Sequence, residues 1–188
     1  HRGVGVYLID NETEANLKSN YTNGAMCGKI DENLVAQKYI YDAFTIDGGH
    51  KFDFRIYMLI ASVDPLIVYY HDGFLRVSLF KYDKNEINRK AHLTNTELAK
   101  EIFNKIENGG THMGMDINQL REFQMRTLDT FQEYLTRKGI VKDKNWVENR
   151  LKVDFKKAYV YLVKMVEQHL EKRPERFEMS GVDFVMDE

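Results

Sequence analysis

Lys51-Phe52-Asp53-Phe54-Arg55 places three charged side chains at every second position. On an extended strand that spacing projects Lys51, Asp53 and Arg55 from one face over about 13 Å, a reach that suits a phosphate-bearing ligand. A solvated sheet face of salt-bridged charges would show the same pattern. Context weakens that alternative, because Phe52, Phe54, Ile56, Met58 and Ile60 make the opposite face strongly apolar. A second lysine also occurs nearby, in Gln37-Lys38-Tyr39-Ile40.

Other candidate groups are individually weaker. Arg2-Gly3-Val4-Gly5 could let backbone N–H groups approach phosphate oxygens, although an isolated Gly-x-Gly is more often a plain turn. No Walker-type or full dinucleotide fingerprint is present. In Gly181-Val182-Asp183-Phe184-Val185-Met186-Asp187, Asp183 and Asp187 share one strand face, with Val182, Phe184 and Met186 on the other. A carboxylate there could hold Mg²⁺, which binds through one or two carboxylates plus substrate phosphates, or the strand end could simply meet solvent. His92 is either a packed or surface residue or a catalytic one.

The elements that must position these residues follow from pattern. Val4 to Ile9 and Leu34 to Ile40 read as strands, with a polar loop over Asn20 to Gly28. His50 to Val63 is the clearest strand, ended by Asp64-Pro65. Leu66 to Tyr70 returns, and Asp72-Gly73 predicts a hairpin into Phe74 to Phe80, giving an antiparallel meander. Asp116 with Gln119 suits a capping box, and one helix is expected through Leu120, Phe123, Leu128, Phe131 and Leu135 until Gly139. A second helix is expected from Trp146 through Leu151, Phe155, Tyr159, Leu162 and Val166 to Arg173-Pro174. A last strand covers Met179 to Asp187. Strands, then helices, then a strand predict an α+β arrangement, a mixed or antiparallel sheet with packed helices.

Composition bounds the function classes. The chain has 188 residues, 43% hydrophobic, enough for one domain with its own core. Twenty-seven Lys and Arg against 29 Asp and Glu give a formal net charge of -2, which supports neither a nucleic-acid nor an anionic-membrane partner. The single Cys27 cannot form an internal disulfide, and the six histidines lack zinc-site spacing. No apolar run approaches the roughly 20 residues of a membrane helix. The start at His1 and the stop behind an apolar strand suggest a fragment of a longer protein.

Taken in order, Arg2-Gly3-x-Gly5-Val6, Gln37-Lys38-Tyr39-Ile40, Gly49-His50-Lys51-Phe52-Asp53-Phe54-Arg55-Ile56-Tyr57, Asp64-Pro65-Leu66, Asp72-Gly73-x-x-Arg76, His92-Leu93-Thr94-Asn95 and Gly181-x-Asp183-Phe184-x-x-Asp187-Glu188 resemble the tubulin tyrosine ligase-like family across essentially the whole chain. The resemblance implies the central and C-terminal part of an ATP-grasp domain over residues 1–188, lacking its N-terminal part and last strands. It implies ATP and Mg²⁺ as cofactors. Arg2 and Gly3 would cover the phosphates, Gln37, Lys38, Tyr39 and Ile40 would form the adenine-side hinge, and Lys51, Phe52 and Asp53 would belong to the nucleotide pocket. Thr94 and Asn95 would lie near ribose and phosphates, Arg55 would face the γ-phosphate and acceptor carboxylate as the catalytic residue, and Asp183 would be a metal ligand.

The implied activity is an ATP-dependent ligase that joins a free amino acid (glycine, glutamate or tyrosine) to tubulin or microtubules through an acylphosphate. The Gly73 to Leu79 segment and the helices after Asp116 look most like the glycylase branch. The implied location is the cytoplasm and cytoskeleton, with a cilium or axoneme as the particular setting. Two family elements fall outside the sequence, the upstream Lys-Pro element and the downstream Glu-x-Asn pair. A catalytically silent domain, retained as a structural part of a microtubule or ciliary assembly, is therefore the alternative expectation.

Overall fold

The computed structural model describes residues 8–9, 37–86, 89–94, 99–107 and 110–188. The expected strand over Val4 to Ile9 and the loop over Asn20 to Gly28 fall wholly or mostly outside these residues, as do Arg2, Gly3 and Asn95. In chain order the elements are β1 (Thr45–Ile46), β2 (His50–Val63), β3 (Leu66–Lys81), α1 (Arg89–His92), α2 (Lys100–Glu107), α3 (Ile117–Gln124), β4 (Met125–Thr127), α4 (Leu128–Arg137), α5 (Lys152–Val166) and β5 (Glu178–Phe184). All strand pairings are antiparallel. β2 is central: β3 lies on one side, and β1 and β5 share the other at different heights, while β4 extends β3 outward.

Alternation on β2 sorts the two faces as the sequence predicts. Phe52, Phe54, Ile56, Met58 and Ile60 are buried and pack with Leu75 and Val77 of β3, Phe131 and Leu135 of α4, and Phe155 and Tyr159 of α5. The Phe52 ring stands 5.3 Å from both Phe54 and Phe131. A smaller cluster of Leu79, Ile102, Ile106 and Leu120 forms under α2 and α3.

Four expectations are corrected. First, Asp72-Gly73 is no hairpin, since β3 runs through it without a break. Arg55 pairs with Phe74 and Tyr57 with His71, so Asp72 and Gly73 together oppose Ile56 alone, which is a β-bulge. Gly73 is required there because an added Cβ would stand 1.6 Å from the Arg55 carbonyl oxygen. Gly73→Ala must separate the two longest strands and is expected to cost about 3 kcal/mol, read as a lower denaturant midpoint at unchanged slope.

Second, the helix after Asp116 is split. The capping box is present, with Asp116 accepting from the Asn118 and Gln119 amides at 2.8 and 2.9 Å. The chain then leaves the helix at Met125–Thr127 to pair with β3, and Thr127 caps a new helix by accepting from the Thr130 amide at 3.2 Å. The edge of β3 supplies backbone partners that outweigh helix continuity. Gly139, at φ 69°, ends α4 as expected.

Third, the second long helix opens with a π-turn over Val147–Leu151, and α5 gives way after Val166 to a 3₁₀ turn over Glu167–His169. The inserted residue of the π-turn shifts the buried stripe to Lys152, Phe155, Tyr159 and Val163, leaving Leu162 and Val166 more than a third exposed. Lys152 is held by Asp72 at 2.5 Å and by Glu148, which ties the head of α5 to the bulge in β3. Fourth, Gln37 to Ile40 form no strand, and β5 ends at Phe184, with Asp187 making only an isolated bridge to Ala43.

Candidate active site

The face of β2 opposite the core carries the charged residues, and β3 and β5 complete it. Register sets Asp53 opposite Arg76 of β3 and Arg55 opposite Asp183 of β5. Cross-strand neighbours of opposite charge then meet directly. Arg76 donates to both oxygens of Asp53, Nε to Oδ1 at 2.8 Å and Nη2 to Oδ2, and its Nη2 also lies 2.8 Å from Asp183 Oδ2. Arg55 donates to Asp183 through Nε at 2.5 Å and Nη2 at 3.0 Å. Thr94 donates its hydroxyl to Asp53 Oδ2 at 2.7 Å. Planar guanidinium forks bind carboxylates and phosphates in this bidentate way.

Lys51 occupies the inner end of the face and is 5% exposed. Its Nζ donates to two neutral oxygens, the Tyr39 hydroxyl at 2.6 Å and the His92 carbonyl at 3.1 Å. It also stands 4.3 Å from the Tyr39 ring centre and 5.5 Å from that of Tyr82. The Tyr39 hydroxyl is 2.7 Å from His92 Nδ1, and His92 Nε2 is 2.6 Å from the Glu86 carbonyl oxygen. A carbonyl only accepts, so a neutral His92 carries its proton on Nε2 and receives the Tyr39 hydroxyl at Nδ1. Tyr39 therefore accepts a hydrogen bond from Lys51 and donates one to His92.

Burial dominates the electrostatics of Lys51, lowering its pKa to about 8, while the charge of Asp53 works the other way. Burial alone would raise the Asp183 carboxyl, but hydrogen bonds from Arg55 and the charge and hydrogen bonds of Arg76 outweigh it and hold it below the ordinary value. Three cations, Lys51, Arg55 and Arg76, stand against two carboxylates, Asp53 and Asp183, so the cluster carries one net positive charge at neutral pH. An anionic ligand would be attracted to it.

The structure thus gathers Tyr39, Lys51, Asp53, Arg55, Thr94 and Asp183 on one surface. Gln37, Lys38 and Ile40 are exposed beside it. Phe52 faces the other way, 1% exposed in the aromatic core, so its part is to fix the strand beneath the site. Sequence reasoning named Arg76 only within the Asp72-Gly73-x-x-Arg76 element and gave it no role, although it is the residue that bridges both carboxylates. Its signal was the alternation Leu75, Arg76, Val77, Ser78, Leu79, in which one basic residue interrupts a strand on the side facing away from the core.

A Mg²⁺ ion finds no prepared place in this arrangement. Both oxygens of Asp183 accept from guanidiniums, those of Asp53 are taken by Arg76 and Thr94, and no group of three His, Cys, Asp or Glu side chains converges among the described residues.

An antiparallel sheet with the long helices α4 and α5 on its apolar face and a basic, carboxylate-buttressed cluster on the other makes this an α+β protein with a charged surface. The chain belongs to the tubulin-tyrosine ligase family, whose model matches residues 1–188. It is 31% identical to human tubulin polyglutamylase TTLL5 over 143 residues, which cover 73% of this chain and 10% of that protein. It is 30% identical to Drosophila melanogaster tubulin glycylase 3A over 188 residues, covering 98% of this chain and 17% of the relative. A 24% identity over 198 residues relates it to human inactive polyglycylase TTLL10, with 100% of this chain and 28% of the relative covered. The chain therefore spans less than a third of the length of each of these relatives. Among the described residues no helix is long and apolar enough to cross a membrane.

Proposed function

We propose that the chain is the catalytic part of an ATP-grasp ligase that joins an amino acid, glycine or glutamate, to tubulin. The observation that carries this reading is the pair of guanidiniums, Arg55 and Arg76, converging on one carboxylate beside a buried, readily neutralised Lys51. Such a surface is suited to an acid substrate and a phosphoryl group held together. The names of the relatives, a polyglutamylase and a glycylase of tubulin, supply the substrate class.

In this scheme a carboxylate oxygen of the acceptor attacks the γ-phosphorus of ATP, and the bond to the β–γ bridging oxygen breaks to release ADP. The acylphosphate carbon is then attacked by the amine of the incoming amino acid. Phosphate leaves, the nitrogen loses a proton, and an amide or isopeptide bond results. Lys51 and Arg76 neutralise phosphate charge, Arg55 orients the acceptor carboxylate against it, and Asp53 and Thr94 hold Arg76 in place. Gln37 to Ile40 line the nucleoside end. The setting is the microtubule cytoskeleton, with cilia as a particular case.

Incubating the full-length protein with microtubules, ATP in magnesium buffer and labelled glycine, glutamate or tyrosine should label tubulin with glycine or glutamate. Absence of ATP-dependent label from all three sinks the proposal. It would favour a silent binding domain, a second reading motivated by the relative named as inactive that aligns with the whole chain.

Lys51 adds a pH dependence. Its pKa of about 8 in the free protein means that the cation is present below that pH and is lost above it. ATP affinity should be flat below pH 8 and weaken by up to about tenfold per unit above it until the bound-state pKa is reached. Titration calorimetry at a series of pH values measures this, and in Lys51→Met the slope should disappear.

A further inference from the structure

Gly181 is a glycine whose backbone does not require one. The glycines with positive φ among the described residues are Gly48, Gly49, Gly114 and Gly139, so left-handed geometry does not explain residue 181. Space does. Gly181 pairs with Tyr57, and Asp183 with Arg55, so on the charged face Gly181 is the side-chain position immediately before Asp183. The stem of Arg55 lies across it. A Cβ on residue 181 would stand 2.6 Å from Cδ, 3.1 Å from Nε and 3.4 Å from Nη1 of Arg55.

We propose that Gly181 is a positioning residue for Arg55: its missing side chain is the seat over which the arginine stem lies, and this sets where the guanidinium meets Asp183 and the ligand. The contrast with Gly73 supports the division of labour. At Gly73 the added Cβ meets backbone, the Arg55 carbonyl, and the strands themselves must part. At Gly181 the three nearest atoms all belong to a side chain, which can swing away and leave the sheet intact. Arg55 is well placed to swing, since its side chain is 29% exposed and the carboxylate it pairs with, Asp183, is half-open at 44% exposed. Arg76 keeps its own hold on Asp183 and on Asp53, so the remainder of the cluster stays assembled when Arg55 moves.

The activity arm of the test rests on the ligase reading; the spectroscopic arm does not. In the folded protein labelled with ¹⁵N-arginine, the Nε–H resonance of Arg55, assigned by its loss in Arg55→Lys, should shift or broaden in Gly181→Ala, while that of Arg76 stays in place. Thermal stability should change little. In the microtubule assay, Gly181→Ala should lower kcat by about 10- to 100-fold with a smaller change in KM for ATP. Gly181→Ala added to Arg55→Ala should cause no further loss, because the effect runs through one side chain. An unmoved Arg55 resonance, a large loss of Tm in Gly181→Ala, or additive losses in the double variant would each overturn the proposal. If wild-type protein shows no ligation, the ligase reading fails while the arginine spectrum still decides the role of Gly181.

Discussion

Arg76→Ala is expected to destabilise the fold by about 3–5 kcal/mol and to abolish ligation. The size follows from what the substitution strands. Asp53 is 6% exposed and receives a bidentate guanidinium, and Arg76 is 9% exposed. Removing the guanidinium leaves a buried carboxylate with, among the described residues, the Thr94 hydroxyl as its remaining side-chain donor. The companion variant makes the cause visible: Asp53→Asn combined with Arg76→Ala should recover a large part of the lost stability, because the stranded charge is gone, yet should remain inactive. Arg76→Lys should fold better than the alanine variant but stay poorly active, since an ammonium cannot bridge Asp53 and Asp183 with a planar fork. Urea unfolding of the three variants checks the order. If Arg76→Ala unfolds at the wild-type midpoint, the pair does not buttress the site.

Arg55→Ala should behave in the opposite way, with a loss of about 100-fold or more in kcat and a change in stability of under about 1 kcal/mol. Its partner Asp183 is close to half exposed, so water can solvate the carboxylate once the guanidinium is removed. On the proposed reading, what the variant would lack is the donor that orients the acceptor carboxylate, not a structural contact. ATP binding should persist, because Lys51 and Arg76 remain. Steady-state labelling of microtubules, paired with a nucleotide-binding measurement, separates these effects. An Arg55→Ala enzyme as fast as wild type would refute the catalytic assignment, whatever the stability data show.

The two arginines differ in how far they were legible before the fold was known. Arg55 was marked by local pattern alone: a charge at every second position of Lys51-Phe52-Asp53-Phe54-Arg55, with aromatics between, fixes both the strand and its two faces. The capping box at Asp116 and the stop at Gly139 were equally readable, because each depends on residues within a few positions of one another. The α+β character and the core face of β2 follow from the same short-range periodicities.

Arg76, Gly73, Gly181 and Lys152 needed the tertiary structure, for one reason: each acts on a residue far along the chain, at a distance set by register. Asp72-Gly73 has the composition of a turn, and only pairing of β3 with β2 on both sides of it makes it a bulge. The helix after Asp116 has an unbroken apolar stripe, and only the open edge of β3 explains the three residues that leave it. Asp183 lay on a strand that could equally have ended in solvent, and its pairing with β2 places it against Arg55 and Arg76. The sequence by itself determined the family, the long strand β2 and the charged face that began the case, Lys51, Asp53 and Arg55. Tertiary pairing decided which charges touch, because a hydrogen-bond ladder aligns residues without regard to their separation in sequence.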